Sequence, residues 1–375
     1  MEILKTQLSP EEETIQLLGN PLLREKQKAR LEELLLKDMN YPHILGLLHL
    51  HRIEGIAWNN IKEHIIGENR KFKFGFLFKM LQRYHNVQVQ HFNEQKIEIE
   101  EAVKVLNQND IPFVILKGIS ISDHVYPVSG MRISNDCDIL VHPDYLQTAI
   151  TALEGSGYVQ GYYDSYKQKV IEATRKDKIA SIMRSHEAIP LYKVKEDFIA
   201  LNYFAIDLQF TIDLMTSNRR NDVLDEFFER KIYLKNIEEF YPALSWEDSL
   251  LFLCVHFYVE ATIFEEVQNY KDFAIYKIAD IYLLLATRKF ELDFSKIVEA
   301  AKRHKLEKAV YFTFYYLSLF YELEFDFLND FEIQDEAFLD QVIKKDKVIH
   351  TWDTDRLSRF FDFDRLKSLK EEKNI

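Results

Sequence analysis

Cysteine is nearly absent from this chain, whose 375 residues contain two, Cys137 and Cys254. Both lie inside apolar runs of the sequence. So few thiols do not suggest a disulfide framework or a structural zinc site, which need several cysteines at regular spacing. We therefore expect two buried free thiols in a protein of a reducing compartment.

Long apolar runs are also missing. No run approaches the roughly 20 residues that a membrane-spanning helix needs. The first residues, MEILKTQLSPEEET, are polar and acidic, unlike the apolar core of a signal peptide. We expect a cytoplasmic protein that does not act at a membrane. The sequence also shows no internal repeat and no low-complexity segment.

Positive charge is the third shortage, since 48 Lys and Arg face 61 Asp and Glu, for a formal net charge of −13. A field of that sign repels nucleic acid and anionic membrane surfaces. Nucleic acid is therefore not expected as a partner, and a bound nucleotide would need local cations or metal. With 47% hydrophobic residues, the chain has enough apolar side chains for a large core.

The pattern along the chain predicts an α+β fold in three regions. Residues 1–107 indicate an N-terminal helical region, 108–240 a small mixed sheet that forms the catalytic domain, and 241–375 a C-terminal helical domain. Within the middle region we predict a helix over 165–178, then strands over 182–194 and 198–210.

Two short apolar stretches carry the first candidate site. Residues 113–116 predict a buried strand, and Lys117-Gly118 follows before a short helix over 119–126. The next strand contains Asp136 and Asp138, which share a face because side chains at i and i+2 point the same way. Two carboxylates beside a glycine turn suit Mg²⁺ and a triphosphate. The alternative is that Asp136 and Asp138 lie on an exposed strand edge, where their charges prevent aggregation.

A later strand supplies a third acid. In Ile206 to Phe210, apolar and polar residues alternate, which places Asp207 on the face opposite to Ile206 and Leu208. Asp213 is a rival, but it lies past the strand, where a role in a turn or a helix start is expected.

These motifs resemble a known superfamily. LKG, then Tyr126, Arg132 and DCDILV, then a helix ending at Gly157-Tyr158, is similar to the nucleotidyltransferases that include DNA polymerase beta and the kanamycin nucleotidyltransferases. The wording is nearest to the largely uncharacterised bacterial nucleotidyltransferase family 5, over roughly 38–287. Two positions depart from the pattern: Ile119 stands where Gly or Ser usually follows the glycine, and Gln209 where His is frequent.

The resemblance implies transfer of a nucleoside monophosphate, AMP from ATP or from another triphosphate, to a hydroxyl with release of pyrophosphate. Two Mg²⁺ ions would be held by the catalytic carboxylates Asp136, Asp138 and Asp207. The acceptor would be a small molecule, a peptide or a protein. The expected nucleotide and phosphate contacts are Lys117, Gly118, Ser120, Arg132, Lys277 and Asp280.

Each of these contacts has a simpler alternative. Lys117 and Arg132 could form ion pairs with the neighbouring aspartates, and Lys277 with Asp280 could be a surface i,i+3 pair. His186-Glu187 and His256 match family positions but could be structural. For the whole chain, the alternative is a nucleotide-binding or interaction protein that has lost catalysis, which the departures at Ile119 and Gln209 favour.

Overall fold

A computed structural model describes residues 8–64, 72–212 and 221–371. The expected α+β fold is confirmed: helices accompany a mixed sheet of eight strands. The chain divides into two compact units. One is formed by 1–85 together with 253–375, and the other by 86–252.

The unit of residues 86–252 contains the sheet. Its strands are β1 (Phe113–Ile115), β2 (Cys137–Val141), β3 (Val159–Asp164), β4 (Lys169–Glu172), β5 (Leu191–Val194), β6 (Tyr203–Gln209), β7 (Ile232–Lys235) and β8 (Phe240–Ala243). They lie in the order β4-β3-β5-β6-β2-β1-β8-β7. Strand β2 runs parallel to β6 and antiparallel to β1.

The helices of this unit are α5 (Gly75–Gln108) from residue 86 onwards, then α6 (Ile119–His124), α7 (Leu146–Gly155), α8 (Arg175–Arg184), α9 (Asn221–Glu229) and the start of α10 (Trp246–Thr262). Apolar residues of α5 and α7 at helical spacing pack on one face of the sheet. Cys137, Ile139 and Val141 of β2 belong to that core.

The opposite face of the sheet is apolar at one end and polar at the other. At the far end of β1 and β2, Val114 and Leu140 pack against Leu224 and Phe227 of α9. The beginning of β2 has polar side chains on this face, because Asp136 and Asp138 alternate with the core residues. The candidate site is therefore at the end of the strand that is not covered by apolar packing from α9.

The other unit is formed by the residues before and after the sheet-containing unit. Its elements before the sheet are α1 (Pro10–Leu18), α2 (Glu25–Leu35), α3 (Tyr41–Leu50), α4 (Glu54–His64) and the start of α5. After the sheet come the rest of α10, α11 (Phe264–Val267), α12 (Ile275–Thr287), α13 (Phe294–His304), α14 (Glu307–Tyr321), the hairpin β9 (Gln341–Lys344) and β10 (Lys347–Thr351), and α15 (Arg365–Glu371). Buried aromatic rings fill its core, including Phe257, Phe312 and Tyr316.

The helix predicted over 165–178 is wrong. The structure has the antiparallel hairpin β3–β4 there, with Tyr163 opposite Val170, and α8 begins at Arg175. The strand predicted over 182–194 is shortened to β5, because its first residues end α8. In the described part of the chain, no helix combines the length and the apolar character needed to cross a membrane.

Candidate active site

The pairing of β2 with β6 brings two of the predicted carboxylates together. Asp138 is directly opposite Asp207 in the parallel ladder, since Cys137 pairs with Ile206 and Ile139 with Leu208. Side chains of directly opposite residues point to the same face. Asp136 is two residues before Asp138 and shares that face. Asp138 is buried, whereas Asp136 and Asp207 are partly exposed.

Lys117 reaches the same point from β1. Leu116 N–H donates to the carbonyl oxygen of Asp138, which fixes the start of the loop after β1 beside β2. The Lys117 ammonium nitrogen is 3.1 Å from Oδ2 of Asp138. The ion pair with a neighbouring aspartate, which the sequence left open, is thus present, and Lys117 supplies positive charge at the carboxylates.

Gln209 contacts the other oxygen of the same carboxylate. Its side-chain Nε2 donates to Oδ1 of Asp138 at 3.1 Å, and both groups are buried. Oδ2 of Asp138 accepts no well-directed hydrogen bond from any residue in the described ranges. Gln209, at a position where His is frequent in the resembled family, therefore orients the Asp138 carboxylate so that its Oδ2 faces Lys117.

Burial and mutual repulsion perturb both paired acids. Burial, followed by the charges of Asp138 and Asp136, raises the pKa of Asp207 to about 9. Burial also raises the pKa of Asp138, although Lys117 opposes the shift. Both effects favour the protonated form of Asp207 in the absence of a bound cation. A cation placed among these carboxylates would favour their ionised forms.

Gly118 shapes the loop between Lys117 and α6. Its φ of +71° lies in a region that residues with a side chain rarely adopt. A Cβ built on it would be 3.0 Å from Oγ of Ser134. That hydroxyl donates to the carbonyl oxygen of Asp136 at 3.0 Å. The glycine is therefore required both by its backbone conformation and by its close approach to the segment that carries Asp136.

The remaining predicted phosphate contacts of this unit are buried. Arg132 is 7% exposed, and its Nη1 donates to Oγ of Ser122 on α6 at 3.3 Å. Ser120 is 1% exposed, and its hydroxyl has no hydrogen-bond partner among the residues that the structure describes. Ser120 lies two residues after Gly118, and Arg132 contacts the same helix through Ser122. A contact of Ser120 or Arg132 with phosphate stays a prediction.

Lys277 and Asp280 belong to the other unit. Both are buried, so the interpretation as a surface pair is wrong. Lys277 forms an ion pair with Glu260 and donates to the carbonyl oxygen of Lys271 at 2.6 Å. Nδ1 of His256 is also 3.1 Å from Oε2 of Glu260, which gives that histidine a structural partner. A nucleotide contact by Lys277 or Asp280 stays a prediction. Asp213 lies outside the described residues.

Mg²⁺ needs oxygen donors, which the carboxylates of this face can supply. Within 8–64, 72–212 and 221–371, no three His, Cys, Asp or Glu side chains already surround one point as metal ligands. Mg²⁺ rarely uses such cages and is commonly held by one or two carboxylates together with substrate phosphates and water. Asp136, Asp138 and Asp207 offer hard oxygen donors of that kind. Among them, Oδ2 of Asp138 is buried and accepts no well-directed hydrogen bond from the described residues.

Two tyrosines of this face were not predicted as site residues, and Glu187 was named only as part of the His186-Glu187 pair, with a structural role as the alternative. Glu187 pairs with Gln209 in an isolated antiparallel bridge, and its charge acts on Asp207. Tyr192 and Tyr203 lie on the adjoining parts of β5 and β6, with ring centroids 5.6 Å apart. The alternation Tyr203-Phe204-Ala205-Ile206-Asp207 could have indicated that Tyr203 shares the face of Asp207. The positions of Tyr192 and Glu187 depend on strand register, which the alternation alone does not give.

Fold and site together define a nucleotidyltransferase: a mixed sheet with Asp-x-Asp beside a third aspartate, and a Lys-Gly loop before a short helix. The comparison with models of known families gives the same class. Residues 37–322 match a family described as uncharacterised nucleotidyltransferases. The chain belongs to this family, and a nucleoside triphosphate is its implied substrate. No curated protein and no solved structure matches the chain.

Proposed function

We propose that this enzyme transfers AMP from ATP to a hydroxyl group of a small molecule, a peptide or a protein, and releases pyrophosphate. The observation that carries the proposal is the pairing of Asp138 with Asp207 across β2 and β6, with Lys117 at 3.1 Å from Asp138. A rigid edge of carboxylates next to a cation is what nucleotidyl transfer needs. The cytoplasmic location predicted from composition is part of the same proposal.

Asp136, Asp138 and Asp207 would hold two Mg²⁺ ions, as the family typically uses a divalent metal. When bound, such ions neutralise the carboxylates and the charge that develops on the phosphate oxygens. The other contributions come from the chain. Gln209 fixes the orientation of Asp138, and Lys117 provides a point charge for a phosphate oxygen.

The reaction forms one bond and breaks another at the α-phosphorus. The acceptor oxygen bonds to phosphorus as the bond to the oxygen that bridges to the β-phosphorus breaks, and that oxygen leaves on pyrophosphate. The hydroxyl proton must be removed, and the ionised carboxylate of Asp207 would accept it as the general base. Burial and the neighbouring carboxylates raise the pKa of Asp207, and nearby positive charge would favour its ionised form, which is the form that accepts a proton.

The catalytically inactive alternative is favoured by one observation, the hydrogen bond from Gln209 to Asp138. Together with Lys117 it engages both oxygens of that carboxylate within the protein. The intact set of Asp136, Asp138 and Asp207 argues against lost catalysis. Nucleotide binding without turnover would be the signature of the alternative.

The test is calorimetry of ATP binding with and without Mg²⁺, followed by a turnover assay. We expect Mg²⁺ to strengthen ATP binding and Asp138→Asn to remove most of that dependence. We expect α-labelled ATP, incubated with size-fractionated lysate, to label an acceptor and to release pyrophosphate. Equal affinity in both conditions would contradict the two-metal site. Binding of ATP with no consumption in any fraction would favour the inactive alternative.

A further inference from the structure

Three tyrosines form a cluster beside the carboxylates. Tyr163 of β3 and Tyr203 of β6 have ring centroids 4.0 Å apart, and those of Tyr192 of β5 and Tyr203 are 5.6 Å apart. All three side chains are partly exposed. Rings that remain accessible next to polar catalytic groups offer both apolar surface and a negative π-face to a ligand.

Strand alternation places this cluster on the catalytic face. Phe204 and Ile206 of β6 and Leu191 of β5 belong to the core on the other face. Tyr203, two positions before Ala205 and four before Asp207, therefore shares the face of Asp207, as does Tyr192, which pairs with Ala205. The contact with Tyr203 brings Tyr163 to the same side.

The charges around the cluster are negative. Burial, then the charges of Asp207, Asp136 and Glu187 together with the neighbouring Tyr203, raise the pKa of Tyr192 to about 12. Lys193 of β5 and Lys195 just after it point away from this face, because they pair with Glu98 of α5 at 3.5 and 2.8 Å. Helix α5 packs on the core face. An anionic ligand would thus meet carboxylates here and gain little from Lys193 and Lys195.

The order of the strands assigns the two sides of the site. Strand β2 lies between β1 and β6. Lys117, the candidate phosphate cation, follows β1, whereas Asp207 and the tyrosines lie towards β6, β5 and β3. In phosphoryl transfer the attacking and leaving oxygens are roughly in line, on opposite sides of phosphorus. If pyrophosphate leaves on the Lys117 side, the acceptor approaches from the tyrosine side.

We propose that Tyr163, Tyr192 and Tyr203, with Glu187, form the acceptor site, and that the acceptor is a hydroxyl compound carrying a protonated or quaternary amine. This inference rests on the proposed function. Aromatic faces attract such cations when these lie within about 6 Å of the ring centroid. Glu187 adds a carboxylate on the same face, since it pairs with Gln209, two residues after Asp207.

The test compares two probes of nearly equal shape, choline and 3,3-dimethylbutan-1-ol, which differ in the positive charge. Their binding to the full chain with Mg²⁺ and a non-hydrolysable ATP analogue is measured by NMR titration. We expect choline to bind at least about ten-fold more tightly, equivalent to about 1.4 kcal/mol. We expect Glu187→Gln to reduce that ratio, Tyr203→Leu to weaken choline binding, and Tyr203→Phe, which retains the ring, to preserve it.

The matched control is Tyr233→Leu, which removes an exposed tyrosine of β7 at the far edge of the sheet and should leave choline binding unchanged. Equal binding of both probes, or no saturable binding of choline, would overturn the inference. So would a Tyr203→Leu variant that loses affinity for the ATP analogue and keeps it for choline, because the cluster would then hold the nucleotide.

The outcomes separate this inference from the proposed function. Probe binding needs no turnover, so it can succeed in a chain that consumes no ATP. If instead labelled AMP is transferred to neutral or anionic compounds, and Tyr203→Leu leaves their KM unchanged, the transferase proposal stands and the acceptor assignment is wrong.

Discussion

The two oxygens of the Asp138 carboxylate have different partners. One of its oxygens accepts a hydrogen bond from Gln209, and the other is near Lys117. The amide of Gln209 is a neutral donor, so it can orient the carboxylate without adding charge. A bound cation would have to replace or displace Lys117 at Oδ2, which would release that lysine for a phosphate oxygen.

The first prediction concerns Asp207. We expect Asp207→Asn to bind ATP with nearly unchanged affinity and to lose transfer by a factor on the order of 10²–10⁴, because it removes the acid next to the attacking hydroxyl. Calorimetry with ATP and a single-turnover assay check the two parts.

The control is Asp144→Asn, which changes an aspartate whose side chain is 82% exposed. It should behave as the unmodified chain does in both assays. If Asp207→Asn retains full turnover, Asp207 is not the third catalytic acid, and the same substitution at Asp213 becomes the next measurement.

The second prediction concerns Gly118. We expect Gly118→Ala to destabilise the chain by roughly 1–3 kcal/mol, because a side chain is strained at a φ of +71°. The new Cβ would also press on Ser134, whose hydroxyl supports Asp136, so Mg²⁺-dependent ATP binding should weaken. Thermal unfolding and calorimetry measure the two effects.

Gly155→Ala is the matched control, since that glycine ends α7 and a Cβ built there meets no atom within 4 Å. It should leave ATP binding unchanged. Comparable loss of stability and binding in both variants would mean that the geometry of Gly118 has no special role.

The positions of some side chains of the site could be predicted from the sequence, and those of others could not. A period of two was enough to place Asp136 and Asp138 on one face of their strand, and Asp207 on the face of its own strand opposite to Ile206 and Leu208, because alternation is a local property. The contact of Gln209 with Asp138, by contrast, depends on how β6 is aligned with β2. Register of strands distant in sequence is decided by packing, which the pattern of one strand does not contain.

At the scale of elements, α5 organises the loops of its unit through buried acids. Glu94 accepts the backbone N–H groups of Ile199, Ala200 and Leu201 at 2.8–2.9 Å, which fixes the loop between β5 and β6. Glu100 accepts the N–H groups of Ile237 and Glu238 in the turn between β7 and β8 in the same way. The helix therefore positions the strand that carries Asp207 as well as packing against it.

The third prediction follows from Glu94. Burial alone would raise its pKa, but hydrogen bonds from Gln90 and from the three loop amides hold the pKa below its usual range. As pH falls, the unfolded chain takes up this proton before the folded chain does, so the stabilisation present at neutral pH is lost in acid. We expect Glu94→Gln to cost about 1–3 kcal/mol at neutral pH, and the difference to shrink below about pH 4.

Denaturant unfolding at several pH values measures this effect, and amide exchange at Ile199, Ala200 and Leu201 should accelerate in the variant. Glu101→Gln on the same helix, where the side chain is 55% exposed, is the control and should show neither change. A pH-independent difference for Glu94→Gln would mean that lost packing, and not the charge of the carboxylate, stabilises the loop.

The hairpin β3–β4 shows where element prediction fails. Its second strand, Lys169–Glu172, is mostly exposed and has no alternation strong enough to indicate a buried face. The polar, lysine-rich segment before α8 therefore matched a helix equally well. Pairing with β3 determines its conformation, with Tyr162 opposite Ile171, and such pairing is visible only in the folded chain.

At the scale of the whole molecule, chain order and spatial organisation differ. The helices before the sheet and those after it form one unit, although about 170 residues separate them along the chain. For example, Gln16 of α1 donates to the carbonyl oxygen of Phe320 in α14 at 2.6 Å. Sequence patterns identify such helices one by one, but they do not show which distant segments share a core, because that depends on contacts between side chains far apart in sequence.

The fourth prediction uses the charge of the entire chain. A net charge of −13 disfavours a polyanionic acceptor, since tight nucleic-acid binding depends on cations that replace the counterions of phosphates. With Mg²⁺, each α-labelled ribonucleotide in turn, and size-fractionated lysate, we expect label from ATP in a small-molecule or protein fraction and none on RNA or DNA. Treatment with nuclease should leave the labelled product unchanged.

Nuclease-sensitive label would contradict the prediction from net charge and direct attention to the basic segment containing Lys167, Lys169, Arg175 and Lys176. In that case, reversing the charge of Lys169 and Lys176 should abolish the labelling, because local positive charge would have outweighed the net negative field.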